Sequence, residues 1–332
     1  MSKKSDADSL SRGPIRCFDE SRKTINRSDL VITLRQLRYL DALSRLRHFG
    51  RAAEECAVTQ PALSMQIQDL EAALGVPLVE RKRGRIDVTR EGEEVVRRAR
   101  RVLNEVRDIV DYAQHCGRGL QGPVRLGVIP SIAPYLLPLI LPAVGRRFPD
   151  LELHVRETQT ANLLDELLRG TLDVLLLALP IDNGDIETLS VLEDRFLLAI
   201  PNRPGMQQGQ RVGRDFVRDE ELLLLEEGHC LRDQALEYCG MVRPEMLSSF
   251  GATSLATILQ LVANGYGITL LPEISLGAEL QDPRVTLLRF EPPEPSRTVG
   301  LAWRKSCPRG EAFKELAGLI STARGEADAA AL

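Results

Sequence analysis

The chain has 332 residues, enough at roughly 150 residues per domain for about two domains with cores that need no metal or disulfide staple. Hydrophobic residues make up 43% and charged residues 27%, which excludes a collagenous, low-complexity or mostly disordered chain. The formal net charge of −4 announces no global affinity for nucleic acid, so such a partner has to be read from a local patch.

Residues 1–30 are rich in Ser, Asp, Lys and Arg without apolar periodicity and read as a disordered leader. They lack the apolar run of a signal peptide, and the longest apolar stretch elsewhere, 174–179, is far too short to span a bilayer. A cytoplasmic chain with no membrane partner is expected. Val31 opens the patterned region, and valine can reflect an alternative start codon, so it is a candidate natural beginning. The cysteines Cys17, Cys56, Cys116, Cys230, Cys239 and Cys307 form no CxxC pair. Zinc is therefore not expected, no cofactor is assigned, and a free thiol is the default in a reducing compartment.

Residues 31–92 follow a helical pattern. Leu37, Leu40, Ala42 and Leu43 mark one helix face, and 51–56 give a second, short helix through Ala52 and Ala53. Thr59 fits an N-cap, with Gln60 and Pro61 in the first turn. Leu63, Ile67, Leu70 and Leu74 then form an apolar stripe closed by Gly75. The run Arg81-Lys82-Arg83-Gly84-Arg85 lies between the short strands at 78–79 and 86–89 and reads as a basic hairpin. Helix, helix, tight turn, helix and wing make a winged helix-turn-helix. Between Leu34 and Arg90 the cations outnumber the anions by three in a chain that is acidic as a whole, which suits DNA phosphates.

Residues 91–116 read as one long helix, with Val95, Ala99, Val102, Val106, Ile109 and Ala113 at alternating spacings of four and three. This seam predicts a linker (93–117) that pairs with a second subunit. From 122 to 322 strands and helices alternate, predicting a mainly parallel sheet flanked by helices. The predicted strands include 174–177, 196–200, 222–225 and 268–271, and the predicted helices include 136–148, with Pro138 and Pro142 shaping its start, and 163–168. The fold class is α/β.

The segment Gly228-His229-Cys230-Leu231-Arg232 through Cys239 carries the most distinctive chemistry. If it is helical, the thiols stand about 13 Å apart in rise and about 180° apart in azimuth. A disulfide needs Cα atoms within about 7 Å, so the pair is either inert or a conformational switch. A helix start, His229 and Arg232 favour a reactive Cys230 thiolate, while Glu226 and Glu227 oppose it. Its product with peroxide is a sulfenic acid that a second cysteine resolves. A thiol peroxidase or cysteine hydrolase would also need an activated thiol. There is no GxSxG, HExxH or complete phosphate loop, and Gly265-Tyr266-Gly267 precedes a strand, unlike a dinucleotide fingerprint.

Residues 34–92, with Thr59-Gln60-Pro61-Ala62-Leu63-Ser64 and the 81–85 wing, together with the segment from Gly265 to Pro272, resemble the LysR-type transcriptional regulators. The resemblance spans nearly all of 32–322. Gly127-Val128-Ile129-Pro130, the 134–138 segment and above all 228–239 resemble the peroxide-sensing branch of that family. The resemblance implies a two-subdomain effector domain like periplasmic binding proteins, with subdomain I at about 122–193 and 299–322 and subdomain II at about 194–298. It implies that Cys230 is peroxidatic and Cys239 resolving. It places Ser131, Thr160, His229, Arg232 and Arg297 around hydrogen peroxide, Ser131 standing where the branch usually has threonine. It implies DNA contacts by Arg51, Thr59, Gln60, Pro61, Ser64, Met65, Arg81 and Arg83, although Met65 stands where many members carry Arg or another polar residue. Promoter DNA, RNA polymerase and further copies of the chain, as a homodimer or homotetramer, are the implied partners, and the protein is expected not to be an enzyme. The alternative is a family member that senses a small carboxylate in the cleft and needs no cysteine.

Overall fold

A computed structural model describes residues 32–82, 85–115, 119–239, 252–279 and 282–330. The leader, Val31, the wing tip at 83–84, Cys17 and Cys116 lie outside them. The chain divides into two compact units, Met1–Ala99 and Arg100–Leu332.

In the first unit, helix α1 (Leu34–Leu46) starts in a capping box. The Thr33 side chain accepts from the Gln36 N–H, and the Gln36 side chain accepts from the Thr33 N–H, satisfying two donors that a helix start leaves open. Helix α2 (Phe49–Glu55) is capped by the His48 ring and begins slightly before the predicted 51–56. Helix α3 (Gln60–Leu74) follows Thr59, with proline in its first turn, and ends at Gly75 in the left-handed conformation. Strands β1 (Val79–Lys82) and β2 (Arg85–Val88) pair antiparallel as the predicted hairpin. Leu40, Leu43, Leu63, Ile67, Leu70 and Leu78 form the core. The Glu71 carboxylate accepts from the Leu78 and Val79 N–H groups, at 2.7 and 3.1 Å, and so ties α3 to the hairpin. Helix α4 (Arg90–His115) begins in this unit.

In the second unit, β3 (Gly122–Val128), β4 (Leu151–Glu157) and β5 (Val174–Leu179) run parallel, with α5 (Ala133–Arg147) and α6 (Thr160–Leu168) in the crossovers. Helix α5 starts earlier than its leucine run indicates, and Pro138 and Pro142 lie inside it. The prediction of a mainly parallel sheet is corrected beyond this point. Strand β6 (Ile186–Pro201) pairs antiparallel with β8 (Thr269–Pro272), β9 (Val285–Phe290) and β10 (Ser296–Arg304), and β10 is antiparallel to β5. Strand β7 (Arg211–Val212) adds another parallel pair, on β9. The sheet order is β4-β3-β5-β10-β6-β9-β7, with β8 also on β6. The first half of β6 pairs with β10 and its second half with β8 and β9. The predicted strand at 222–225 is instead a pair of isolated bridges, Leu222 with Ile268 and Leu225 with Ala252. Helices α7 (Cys230–Cys239), α8 (Leu255–Ala263), α9 (Leu276–Glu279) and α10 (Gly310–Ala330) complete the unit.

The part of α4 inside this unit is fastened through its polar face. Arg304 at the end of β10 donates to Asp108 at 2.9 Å, and Ser306 donates to the same carboxylate at 2.7 Å. Arg304 also donates to the Leu167 and Leu172 carbonyls, and Asn104 donates to that of Leu168. Val102, Ile109, Val110 and Tyr112 stay exposed.

Candidate redox site and nucleic-acid face

Cys230 opens α7 and Cys239 closes it, and both thiols are free. Nine rises of about 1.5 Å separate them by about 13 Å, so the helix and a disulfide between them exclude each other. Their surroundings differ. Cys230 is half-buried, whereas Cys239 is 7% exposed. Burial pushes the Cys239 thiol up to about 11, against the pull of the Arg214 guanidinium. In the reduced fold Cys239 is therefore a protonated thiol and a poor nucleophile.

The approach to Cys230 is tacked to its surroundings. Gly228 sits at φ +90°, a conformation that L side chains rarely adopt. A Cβ there would stand 2.6 Å from the Gln159 side-chain oxygen. The Gln159 amide donates to the Glu227 carbonyl at 3.2 Å, so the start of α6 lies against the loop that enters α7. Thr160 is the next residue, and its hydroxyl is buried without a hydrogen-bond partner among the described residues. His229 is buried beside Cys230 in the chain. Arg232 donates to the Leu225 carbonyl at 3.1 Å and so braces the loop.

Arg297 and Ser131 are brought together directly. The Arg297 guanidinium donates to the Ser131 hydroxyl at 2.8 Å and to the Ser131 carbonyl at 3.0 Å. Its Nε–H donates to Asp194 at 2.8 Å, with the two side chains only 1% and 0% exposed. The second Asp194 oxygen accepts from the Ile274 N–H at 3.0 Å. Burial pushes the Asp194 carboxyl above its ordinary value, against the pull of Arg297 and of that N–H. Ser131 keeps a hydroxyl proton to donate, and Arg297 keeps two N–H groups beyond these three bonds. No hydrogen bond or ion pair among the described residues joins this group to Cys230, His229 or Thr160.

Asp194 and Gln159 are absent from the sequence-predicted set. The available signal for Asp194 was an acid beside the apolar run 196–200, because an acid that enters a core needs a buried cation. Nothing local marks Gln159, since its role depends on a loop about seventy residues away.

On the first unit, Leu63, Ile67 and Leu70 face the core. Helical spacing therefore turns Pro61 and Met65 outward and puts Ser64 on the flank, while Gln60 shares the azimuth of Ile67 and is exposed because it opens the helix. Gln60, Pro61, Thr59 and Arg51 are exposed, Ser64 is half-buried, and Met65 is 56% exposed. The side chains of Arg81 and Arg83 lie outside the described residues. Among the described residues no cluster of three His, Cys, Asp or Glu could hold a metal. No helix among them is long and apolar enough to cross a membrane.

Comparison with known proteins matches residues 34–93 to the family described as bacterial regulatory helix-turn-helix protein, lysR family, and residues 117–324 to the LysR substrate binding domain. A hydrogen peroxide-inducible genes activator from Pectobacterium carotovorum is 40% identical over 87% of this chain and 96% of its own length. The DNA-binding transcriptional dual regulator OxyR of Escherichia coli is 40% identical over 87% of this chain and 95% of its own. Among solved structures, a full-length cysteine-to-aspartate variant of OxyR from Pseudomonas aeruginosa aligns with TM-score 0.70 at 36% identity, over 87% of this chain and 95% of that one. A hydrogen-peroxide-bound cysteine-to-serine variant of Corynebacterium glutamicum OxyR aligns with TM-score 0.63 at 34% identity, over 90% and 94%.

Proposed function

The chain belongs to the lysR family of bacterial helix-turn-helix regulators, and from that premise we propose how its residues convert peroxide into a change at promoter DNA. It is a peroxide-sensing transcription regulator of the OxyR type. The Cys230 thiolate attacks one oxygen of hydrogen peroxide. The O–O bond breaks, the sulfur becomes a sulfenic acid, and the other oxygen leaves as hydroxide that takes up a proton. Ser131, Thr160, His229, Arg232 and Arg297 surround the peroxide and the leaving oxygen. Cys239 then gives up its thiol proton and its sulfur attacks the Cys230 sulfur; the S–S bond forms, the S–O bond breaks, and the sulfenic hydroxyl takes that proton and departs as water. Two electrons pass from the two thiols to one peroxide.

The observation that carries this reading is the placement of two free cysteines at opposite ends of one helix. The disulfide forms only when α7 unwinds, so oxidation is necessarily a conformational change. The exposed seam of Val102, Ile109 and Ala113, with half-buried Val106, supports pairing with a second subunit as a homodimer or homotetramer. Unwinding α7 alters how those subunits pack and hence the spacing of the two DNA readers. Gln60, Ser64 and Met65 face base edges, while Arg51, Thr59 and Pro61 with the wing residues Arg81 and Arg83 lie along phosphates. RNA polymerase is the partner on the promoter, and a reducing cytoplasm is the compartment in which the switch resets. The carboxylate-sensing alternative is not favoured by relatives named for induction by peroxide.

Peptide mapping by mass, after about one equivalent of peroxide and alkylation of the remaining thiols, tests the reading. A linked Cys230–Cys239 peptide pair is expected. Both thiols remaining alkylatable would overturn it. Cys230→Ser abolishes the peroxide response under this reading, whereas a carboxylate sensor keeps its response.

A further inference from the structure

Arg214 opens the 3-10 turn Arg214–Asp219, directly after β7. Its guanidinium donates to the Glu237 carbonyl at 3.2 Å. That carbonyl belongs to the last turn of α7, where the final four carbonyls lack intrahelical donors. A cation there meets the negative end of the helix dipole as well as an open acceptor. The same guanidinium lies over the Tyr238 ring, 5.0 Å from its centroid. Tyr238 in turn packs edge-on against Phe290 of β9, with the ring centroids 5.0 Å apart. Phe290 is fully buried in the sheet. Asp215, the acidic neighbour of Arg214, pairs with Arg218 at 2.9 Å. The Arg214 guanidinium is thus committed to α7, and α7 is connected through Tyr238 to the buried Phe290 of β9.

These contacts fall on the two residues just before Cys239. The helix holds the cysteines about 13 Å apart, and a disulfide needs Cα atoms within about 7 Å. Any approach that moves Cys239 out of its place breaks the bond of the Glu237 carbonyl to Arg214 and the seat of the Tyr238 ring between Arg214 and Phe290. The guanidinium pulls on the Cys239 thiol through space, but no hydrogen bond joins it to the sulfur among the described residues, so its direct grip is on backbone and ring.

We propose that Arg214 is a positioning residue for the second step of the switch, clamping the C-terminal turn of α7 and so setting how readily Cys239 leaves its burial to reach oxidised Cys230. The clamp rests on the Cys230–Cys239 reading above. It does not touch the first step, in which the Cys230 thiolate takes one peroxide oxygen at the other end of the helix. It slows the second, in which the Cys239 sulfur, its thiol proton passing to the leaving hydroxyl, displaces the sulfenic oxygen of Cys230 as water. The clamp also favours the dithiol over the disulfide, because only the helical state makes these contacts.

The experiment follows both steps in the full-length protein mixed with one equivalent of hydrogen peroxide. Dimedone trapping reports sulfenic acid, and quenched alkylation with mass mapping reports the disulfide. In Arg214→Ala the disulfide closes about fivefold faster than in the natural chain, while sulfenic acid forms at an unchanged rate. Arg214→Lys, which keeps the charge without the planar fork, falls between the two. Tyr238→Leu, which removes the ring and leaves Arg214 in place, moves closure in the same direction. At equilibrium with a glutathione buffer the Arg214→Ala disulfide withstands an about fivefold larger ratio of reducing to oxidising power. Closure at the natural rate or slower in Arg214→Ala overturns the clamp. Equal changes in both steps mark general loosening of the domain and overturn it too. Absence of any Cys230–Cys239 disulfide in the natural chain overturns the underlying reading; its presence with unaltered closure in Arg214→Ala overturns the clamp alone.

Discussion

The two halves of the candidate redox site are held in opposite ways. On one side, Arg297, Asp194 and Ser131 form a buried, directly bonded group rooted in the central strands β6 and β10. On the other side, the loop into α7 is held by single hydrogen bonds from Gln159 and Arg232, and the end of α7 by one from Arg214 with its contact on the Tyr238 ring. Breaking a buried ion pair by removing one partner costs about 3–5 kcal/mol, whereas an exposed polar or cation–π contact is worth about 1 kcal/mol or less. The difference teaches where movement is permitted. Oxidation can unwind α7 while the Arg297 group keeps its shape.

The largest test of that contrast is Asp194→Asn. It leaves the Arg297 charge buried and uncompensated, and about 3–5 kcal/mol of stability of the C-terminal unit is lost in urea unfolding. If the loss is below about 1 kcal/mol, the half described as fixed is not fixed. Ser131→Ala removes an acceptor from a buried guanidinium and costs about 1–3 kcal/mol. It also slows sulfenic acid formation, read by dimedone trapping, if this hydroxyl serves the peroxide as proposed. On the movable half, Gly228→Ala forces a side chain into a positive φ and against Gln159, at about 1–2 kcal/mol. That strain falls on the loop entering α7, so peroxide converts the variant at lower doses, seen as the linked peptide pair.

The smallest effect is a pH dependence. Cys239 is held at about 11 in the folded helix, against an ordinary value of 9.0. The folded state therefore binds its proton more tightly than the opened state does. The stability this gives is complete below pH 9 and is lost as pH climbs towards about 11. Hydrogen exchange of the α7 amides, corrected for intrinsic rates, should quicken across that window, and Cys239→Ala should remove the effect.

The helix-turn-helix was legible because its information is local. The stripe Leu63, Ile67, Leu70 and Leu74, the proline in the first turn and Gly75 at the end each specify one feature within a few residues. The helix between Cys230 and Cys239 was legible for the same reason. The strand directions were not, because β10 enters the sheet between β5 and β6 from far along the chain, and an apolar run does not announce whether its neighbour runs parallel. Asp194 was missed likewise. Its partner Arg297 lies 103 residues away, and burial of either one is visible only once both strands are in place. Arg304 and Asp108, 196 residues apart, show the same limit.

The position of β10 has a consequence in time. It occupies the middle of the sheet yet is the last strand to be synthesised. Ser131 waits 166 residues for Arg297, which at about 5–20 residues per second is roughly ten to thirty seconds of translation. Arg304, which fastens α4, emerges seven residues later still. A ribosome that stops between β9 and β10 releases a product with a complete helix-turn-helix, an Asp194 without Arg297 and an Asp108 without Arg304. The unit that binds promoter DNA is thus finished long before the unit that tells it when to act, and a product cut off there errs in one direction, towards a reader without a sensor.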